Sequence, residues 1–159
     1  MTSARPPSWL FRRFQQQLFD FERPESDGER IAFKLFELFL LGYAVLWAWE
    51  WGLQSRAIAA IVVPHGIARD LDLAFLVGGP APVINAALIS ACALASLWRP
   101  AARFALPALV VLLHFQYAAR FSLGKVTHGA HYVGLGLLML AIAPWLLPTA
   151  TLRRRFVVG

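Results

Sequence analysis

The sequence predicts an all-α integral membrane protein, a four-helix bundle preceded by an N-terminal amphipathic helix lying in the membrane plane. Three observations lead there. Four apolar runs are separated by polar or Pro/Gly-containing connections, and each is close to the length needed to cross a hydrocarbon core about 30 Å thick. Hydrophobic residues make up 58% of the 159 positions and charged residues only 15%, with a mean hydropathy of +0.58, too apolar for an ordinary soluble domain. The basic residues cluster at the ends of the apolar runs, where they orient a chain in a bilayer. A net charge of +6 without a basic stripe carrying exposed aromatics gives no reason to expect nucleic acid as a partner.

Residues 1–30 form the first region. From Ser8 to Phe21, the residues Leu10, Phe11, Phe14, Leu18 and Phe21 gather on one helical arc, with Arg12, Arg13, Gln16, Gln17 and Asp20 opposite. Phe11, Phe14 and Leu18 are the expected membrane anchor, seated at the acyl boundary, with a partner-binding helix as the rival reading. A polar linker, Glu22 to Arg30, follows. Its Ser26-x-x-Glu29 spacing predicts a capping box at the start of the first span. The first thirty residues lack a continuous apolar signal-peptide core, so insertion is expected to use that span.

Residues 31–148 form the four-span domain. The first span is expected at Ile31–Leu53, with Trp47, Trp49 and Trp51 as an interfacial aromatic belt. A long connection, Gln54–Pro82, includes Pro64-His-Gly-Ile, a break in a short interfacial helix. The second span, Val83–Trp98, repeats Ala87, Ala91 and Ala95 at four-residue steps beside Ser90 and is expected to be the central packing helix. Arg99–Arg103 reads as a tight loop. The third span covers Phe104–Ala119, and the fourth covers His131–Leu147, ending at Pro144 and Pro148. Residues 149–159 are a basic tail. Ten basic residues fall in the two terminal regions and the Arg99–Arg103 loop, against Arg56, Arg69, Arg120 and Lys125 on the other side. This asymmetry places both termini in the cytoplasm. Cys92, the only cysteine, falls mid-span and is expected to be a structural thiol.

Chemistry concentrates where the last two spans meet. His128-x-x-His131 puts two imidazoles on one helical face. Histidine is the commonest metal ligand, and Glu50, His65, Asp70 and Asp72 are on the same side to complete a metal site. The plainer reading is that these histidines cap the fourth helix in the wet headgroup zone. His114 is equidistant with His131 from Ser122–Leu123, so antiparallel pairing sets the two level, an arrangement able to ligate a haem or other tetrapyrrole. A single bond from His114 to a helix carbonyl would satisfy it equally well. Gln116 and Arg120 can bind an anionic headgroup or a quinone carbonyl. His114, Gln116, Arg120, Lys125, His128 and His131 are therefore expected to line one outer-side cavity, since polar groups at membrane depth turn inward. Lys34 and Glu37 form an i, i+3 ion pair in the first span, with a proton relay as the sharper alternative. The chain contains no P-loop, GxSxG, HExxH or CxxC motif.

The segment Gly124-Lys-Val-Thr-His-Gly-Ala-His-Tyr132, followed by a Leu-rich span ending in Ala-Pro144, resembles the end of small bacterial membrane proteins of the DoxX-like and HTTM-like kinds. The latter are relatives of the membrane part of vitamin K-dependent carboxylases. The likeness covers Arg99 to Leu147. The four-span layout resembles DoxX, whereas HTTM proteins usually have more spans. The resemblance implies a multi-pass protein of the bacterial inner membrane with a redox or lipid-linked role, and points to Lys125, His128 and His131. Two functions are expected to compete. One is a site at the histidine cluster for a redox cofactor, a quinone or a lipid. The other is an accessory subunit stabilising a larger energy-transducing membrane complex together with other membrane subunits.

Overall fold

A computed structural model describes residues 24–61, 70, 77–123, 128–147, 151 and 153–154. Phe11, Phe14 and Leu18 of the expected in-plane helix lie outside these residues, as do the Pro64-His-Gly-Ile segment, Asp72 and Lys125. The described residues form four helices, with no strand among them: α1 Asp27–Ala59, α2 Ala81–Ser96, α3 Arg99–Ser122 and α4 His128–Leu146.

Helix α1 begins at the capping box. Ser26 Oγ accepts from the Glu29 amide at 3.2 Å, and Glu29 Oε2 accepts from the Ser26 amide at 2.8 Å. Nothing breaks the helix between Leu53 and Ala59, so α1 outruns the expected span by about one turn at its start and nearly two at its end. Before α2, Gly79 adopts φ 62°, a left-handed conformation that glycine takes without a Cβ penalty. The segment expected as a tight loop, Arg99–Arg103, is instead the first turn of α3, with Pro100 in that turn. Proline is tolerated there because its missing N–H would have no intrahelical acceptor. Only Leu97 and Trp98 separate α2 from α3. Pro144 sits inside α4, which continues to Leu146.

Contacts between side chains fix the packing. Trp49 Nε1 donates to Ser90 Oγ at 3.0 Å, and Gly52 lies against Pro82 and Ala86, so α1 and α2 run antiparallel. Asn85 reaches the Leu112 carbonyl on α3, Tyr117 meets His131 on α4, and Leu40 packs on Gly136, closing α4 onto α1. The core between them is built from Leu40, Ala44, Ala48, Ile89, Leu109 and Leu137. Alanines at full burial let the backbones approach closely. On α2 the buried positions are Pro82, Asn85, Ala86, Ile89, Ala93 and Ser96, while Ala87 and Ala91 face outward. The alanine stripe singled out by spacing is thus not the face that packs within the chain.

The aromatic belt is also corrected. Trp47 and Trp51, one turn apart, are buried at 5% and 1% exposure, and only Trp49 faces out. Steps of two on a helix turn the side chain by about 200°, so Trp49 points away from Trp47 and Trp51 and the three cannot share one face of the helix. The outer surface is strongly apolar, with Leu35, Phe39, Leu46, Leu53, Val111 and Leu135 all exposed. Three helices, α1, α3 (over Arg99–Phe121) and α4 (over Gly129–Leu146), are long and apolar enough to cross a membrane, and α2 is apolar but shorter at 16 residues.

Candidate functional site

Polar side chains gather at the end of the bundle where α1 and α3 finish and α4 begins. The last turn of α3 carries Arg120, whose positive charge suits the partial negative charge at a helix C-terminus. Its side chain is 1% exposed. The guanidinium carbon stands 4.3 Å from the Trp47 ring centroid and 5.4 Å from that of Trp51, and Nη2 is 3.9 Å from Glu50 Oε1. Two aromatic faces and one partly exposed carboxylate thus stand in for water around a buried cation. Arg120 Nε and Nη1 and Trp47 Nε1 have no hydrogen-bond acceptor among the described residues. Those three unmet donors belong to two side chains in contact.

One turn earlier, Gln116 is also 1% exposed. Its Oε1 accepts from Asn85 Nδ2 at 3.1 Å, and its Nε2 donates to the Trp47 carbonyl at 3.4 Å. Asn85 Nδ2 also reaches the Leu112 carbonyl at 3.3 Å. This relay ties α1, α2 and α3 together. Asn85→Leu is expected to lower stability by about 1–3 kcal/mol, because it strands a buried Gln116 oxygen. Adding Gln116→Leu should recover part of that loss. Thermal unfolding followed by circular dichroism in detergent checks both, and an unchanged midpoint in the single variant would show that the relay contributes nothing.

On the other side of Trp47, Tyr117 Oη is hydrogen-bonded to His131 Nε2, with ring centroids 4.3 Å apart at 58°. Tyr117 in turn stacks on Trp47 at 6.4 Å and on Phe121 at 6.5 Å. His114 makes a 2.8 Å bond from Nδ1 to the Val110 carbonyl one turn back, and its ring lies against Gly134. Since a carbonyl only accepts, Nδ1 carries the proton in that contact. His114 and His131 line one pocket of about 40 Å³ with Trp47, Leu113, Tyr117, Ala130 and Gly134.

The structure therefore divides the expected constellation. His114 and His131 share a pocket, whereas Gln116 bonds to Trp47 and Asn85, Arg120 lies over the Trp47 ring, and neither lines it. His114 and His131 are also not level. Across α3 and α4 the partners are Tyr117 with His131 and His114 with Gly134, and the midpoint of each pair is residue 124. Symmetry about Ser122–Leu123 placed the turn too early, because α3 runs to Ser122 and α4 starts only at His128. The two histidines are consequently offset by about one helical turn.

In this arrangement the two histidines are offset, His131 Nε2 is bonded to Tyr117 and the pocket between them is about 40 Å³, so they do not form an opposed pair of tetrapyrrole ligands. A space of about 40 Å³ suits a water or a single polar group. His128 begins α4, and its side chain lies outside the described set, as do His65, Asp72 and Lys125. Among the described residues, no group of three or more His, Cys, Asp or Glu side chains is placed to hold a metal ion. At the opposite end of the bundle, Lys34 Nζ pairs with Glu37 Oε2 at 2.7 Å, with Glu37 mostly enclosed and Lys34 half exposed.

Several members of the site were not assigned to it from the sequence. Trp47 and Trp51 carried a signal in their i, i+4 spacing, and Asn85 in being an amide within an apolar run. Tyr117 lies i, i+3 from both His114 and Arg120, but nothing in one helix says that its hydroxyl meets His131 on another. The class defined by these observations is an all-helical protein with three helices able to cross a membrane and a polar cluster enclosed at one end. Compared with protein-family models, curated proteins and solved structures, the chain matches none.

Proposed function

We propose that the chain is a four-span protein of the bacterial inner membrane, with both termini in the cytoplasm, that receives the carbonyl head of a membrane-borne quinone at the Tyr117–His131 pair. The observation that carries this reading is the hydrogen-bonded Tyr117–His131 pair at a small pocket lined also by His114 and Trp47. A phenol and an imidazole in contact can donate to a carbonyl and pass a proton between them. The pocket suits one polar head whose apolar body stays among the lipid-facing side chains. This reading agrees with the redox or lipid-linked role implied by the DoxX-like and HTTM-like resemblance. Lys125 and His128, close in sequence to His131, belong to the same proposed site.

The direction of the helices supports the four-span layout. Trp47 meets Gln116, and Phe33 and Leu106 line one cavity, so α1 and α3 run the same way. A chain that crosses a bilayer in the same sense twice must return between the two, and α2 is the helix packed against both. The ten-to-four basic asymmetry sets the orientation, and Phe11, Phe14 and Leu18 complete the layout as an in-plane anchor.

Tryptophan fluorescence tests the site, because Trp47 lines the pocket. Titrating the purified chain with a short-chain ubiquinone analogue or menadione should give saturable quenching, with the affinity weakened about tenfold in His131→Ala through loss of one hydrogen bond and its orientation. No saturable quenching, or equal affinity in the variant, overturns the reading. A second reading, an accessory subunit of a larger membrane complex, is favoured by Ala87 and Ala91 facing out from α2. It replaces the first if His131→Ala changes only the unfolding midpoint.

A further inference from the structure

At the end of the bundle opposite the Tyr117–His131 pair lies a cavity of about 590 Å³ between the start of α1, the start of α3 and the end of α4. Its apolar wall includes Phe33, Leu106, Leu140 and Trp145, and its polar lining is Arg99, Arg103, Arg153, Arg154 and Glu37. We propose that this cavity seats the phosphate headgroup of an anionic phospholipid, with the upper acyl carbons against the apolar wall.

The charges inside it do not cancel. Glu37 is held by Lys34 at 2.7 Å, so the single carboxylate of the lining already has its cation. Arg154 is paired with Glu25 through two hydrogen bonds, and Arg153 Nε donates to the Leu147 carbonyl at 2.8 Å, so the free cations of the lining are sought on α3. Arg103 lies over the Phe104 ring at 4.7 Å, and Arg99 is exposed beside it in the same helical turn. Arg99 and Arg103, at i and i+4, therefore present two cations on one face of α3. Guanidinium groups match phosphate oxygens in pairs.

Position selects a lipid over a soluble anion. Helices α1, α3 and α4 are long and apolar enough to cross a membrane, and the cavity occupies the ends of all three, at the depth where headgroups meet acyl chains. More than half of the lining residues are apolar, a wall that a free phosphate would leave unused. The inference is independent of the quinone reading, since it concerns the other end of the bundle.

Native mass spectrometry of the full chain in mild detergent tests it. Titration with phosphatidylglycerol should give adducts about tenfold more readily than with phosphatidylcholine of the same chains, and the preference should fall as salt rises. The double variant Arg99→Gln/Arg103→Gln should bring both lipids to the same level, while Arg56→Gln, at the far end of α1, should keep the preference. Arg99→Lys/Arg103→Lys, which retains both charges, should keep most of it and guards against a folding defect in the glutamine pair. Equal binding of the two lipids by the unaltered chain overturns the proposal. So does displacement of phosphatidylglycerol by millimolar inorganic phosphate, which would mark a free-anion site.

Discussion

Trp51→Ala is expected to lower stability by about 3–5 kcal/mol, among the largest single losses available in the chain. Trp51 is the largest fully buried side chain among the described residues, at 1% exposure. It packs with Val77 and Leu123, and its ring forms one of the two aromatic faces over the Arg120 guanidinium. Truncation leaves a void that the rigid ends of α1 and α3 cannot close, and exposes one side of a buried cation. Two costs then act together, lost contact area and a charge without its aromatic neighbour. Arg120→Met in the same assay should cost much less, or stabilise. It removes the two unmet guanidinium donors and fills the space with an apolar side chain of similar length. Unfolding in detergent, followed by circular dichroism, gives both values, and a loss below about 1 kcal/mol for Trp51→Ala would show that the end of the bundle is loosely packed.

Gly52→Leu should have an effect of similar size by a different route. A Cβ at Gly52 would stand 3.3 Å from the Pro82 carbonyl oxygen and 3.5 Å from the Ala86 Cβ and Val83 Cα. Most of these atoms are backbone and cannot turn aside, so a leucine has to push α2 away from α1. Overpacking of this kind costs about 1–3 kcal/mol in a compliant core and more where backbones touch. The separation would also break the Trp49–Ser90 hydrogen bond at 3.0 Å. Gly42→Ala is the matched control. It is exposed on the same helix, nothing lies within 4 Å of its added Cβ, and a gain of about 0.4–1 kcal/mol is expected from helix propensity and the stiffer unfolded chain. Equal responses at Gly52 and Gly42 would mean that close approach of α1 and α2 does not limit the fold.

The contrast between those two glycines shows where sequence reading stops. Both sit in one apolar helix, and local propensity treats them alike. Only the position of α2 separates them.

The helical class, the capping-box start of α1 at Ser26 and the Lys34–Glu37 pair are legible along the chain, because each depends on residues within a turn or two of one another. Apolar composition likewise marked the runs that became α1, α3 and α4, since length and hydropathy need no partner to be read. Helix ends were less legible. Arg99–Arg103 looked like a loop from its charge and proline, yet proline in a first turn is compatible with a helix, and the helix began there.

Which face meets which comes from packing between helices. Burial of Trp47 and Trp51, the placing of Arg120 between them, and the outward turn of Ala87 and Ala91 follow from rotations of α1, α2 and α3 about their own axes. In a chain this apolar all round, periodicity does not single out one face, so the rotation is not written into hydropathy. The axial offset of His114 from His131 arose in the same way. The pairing of α3 with α4 is set by Tyr117 against His131 and by His114 against Gly134, contacts between helices that no count of residues along the turn determines.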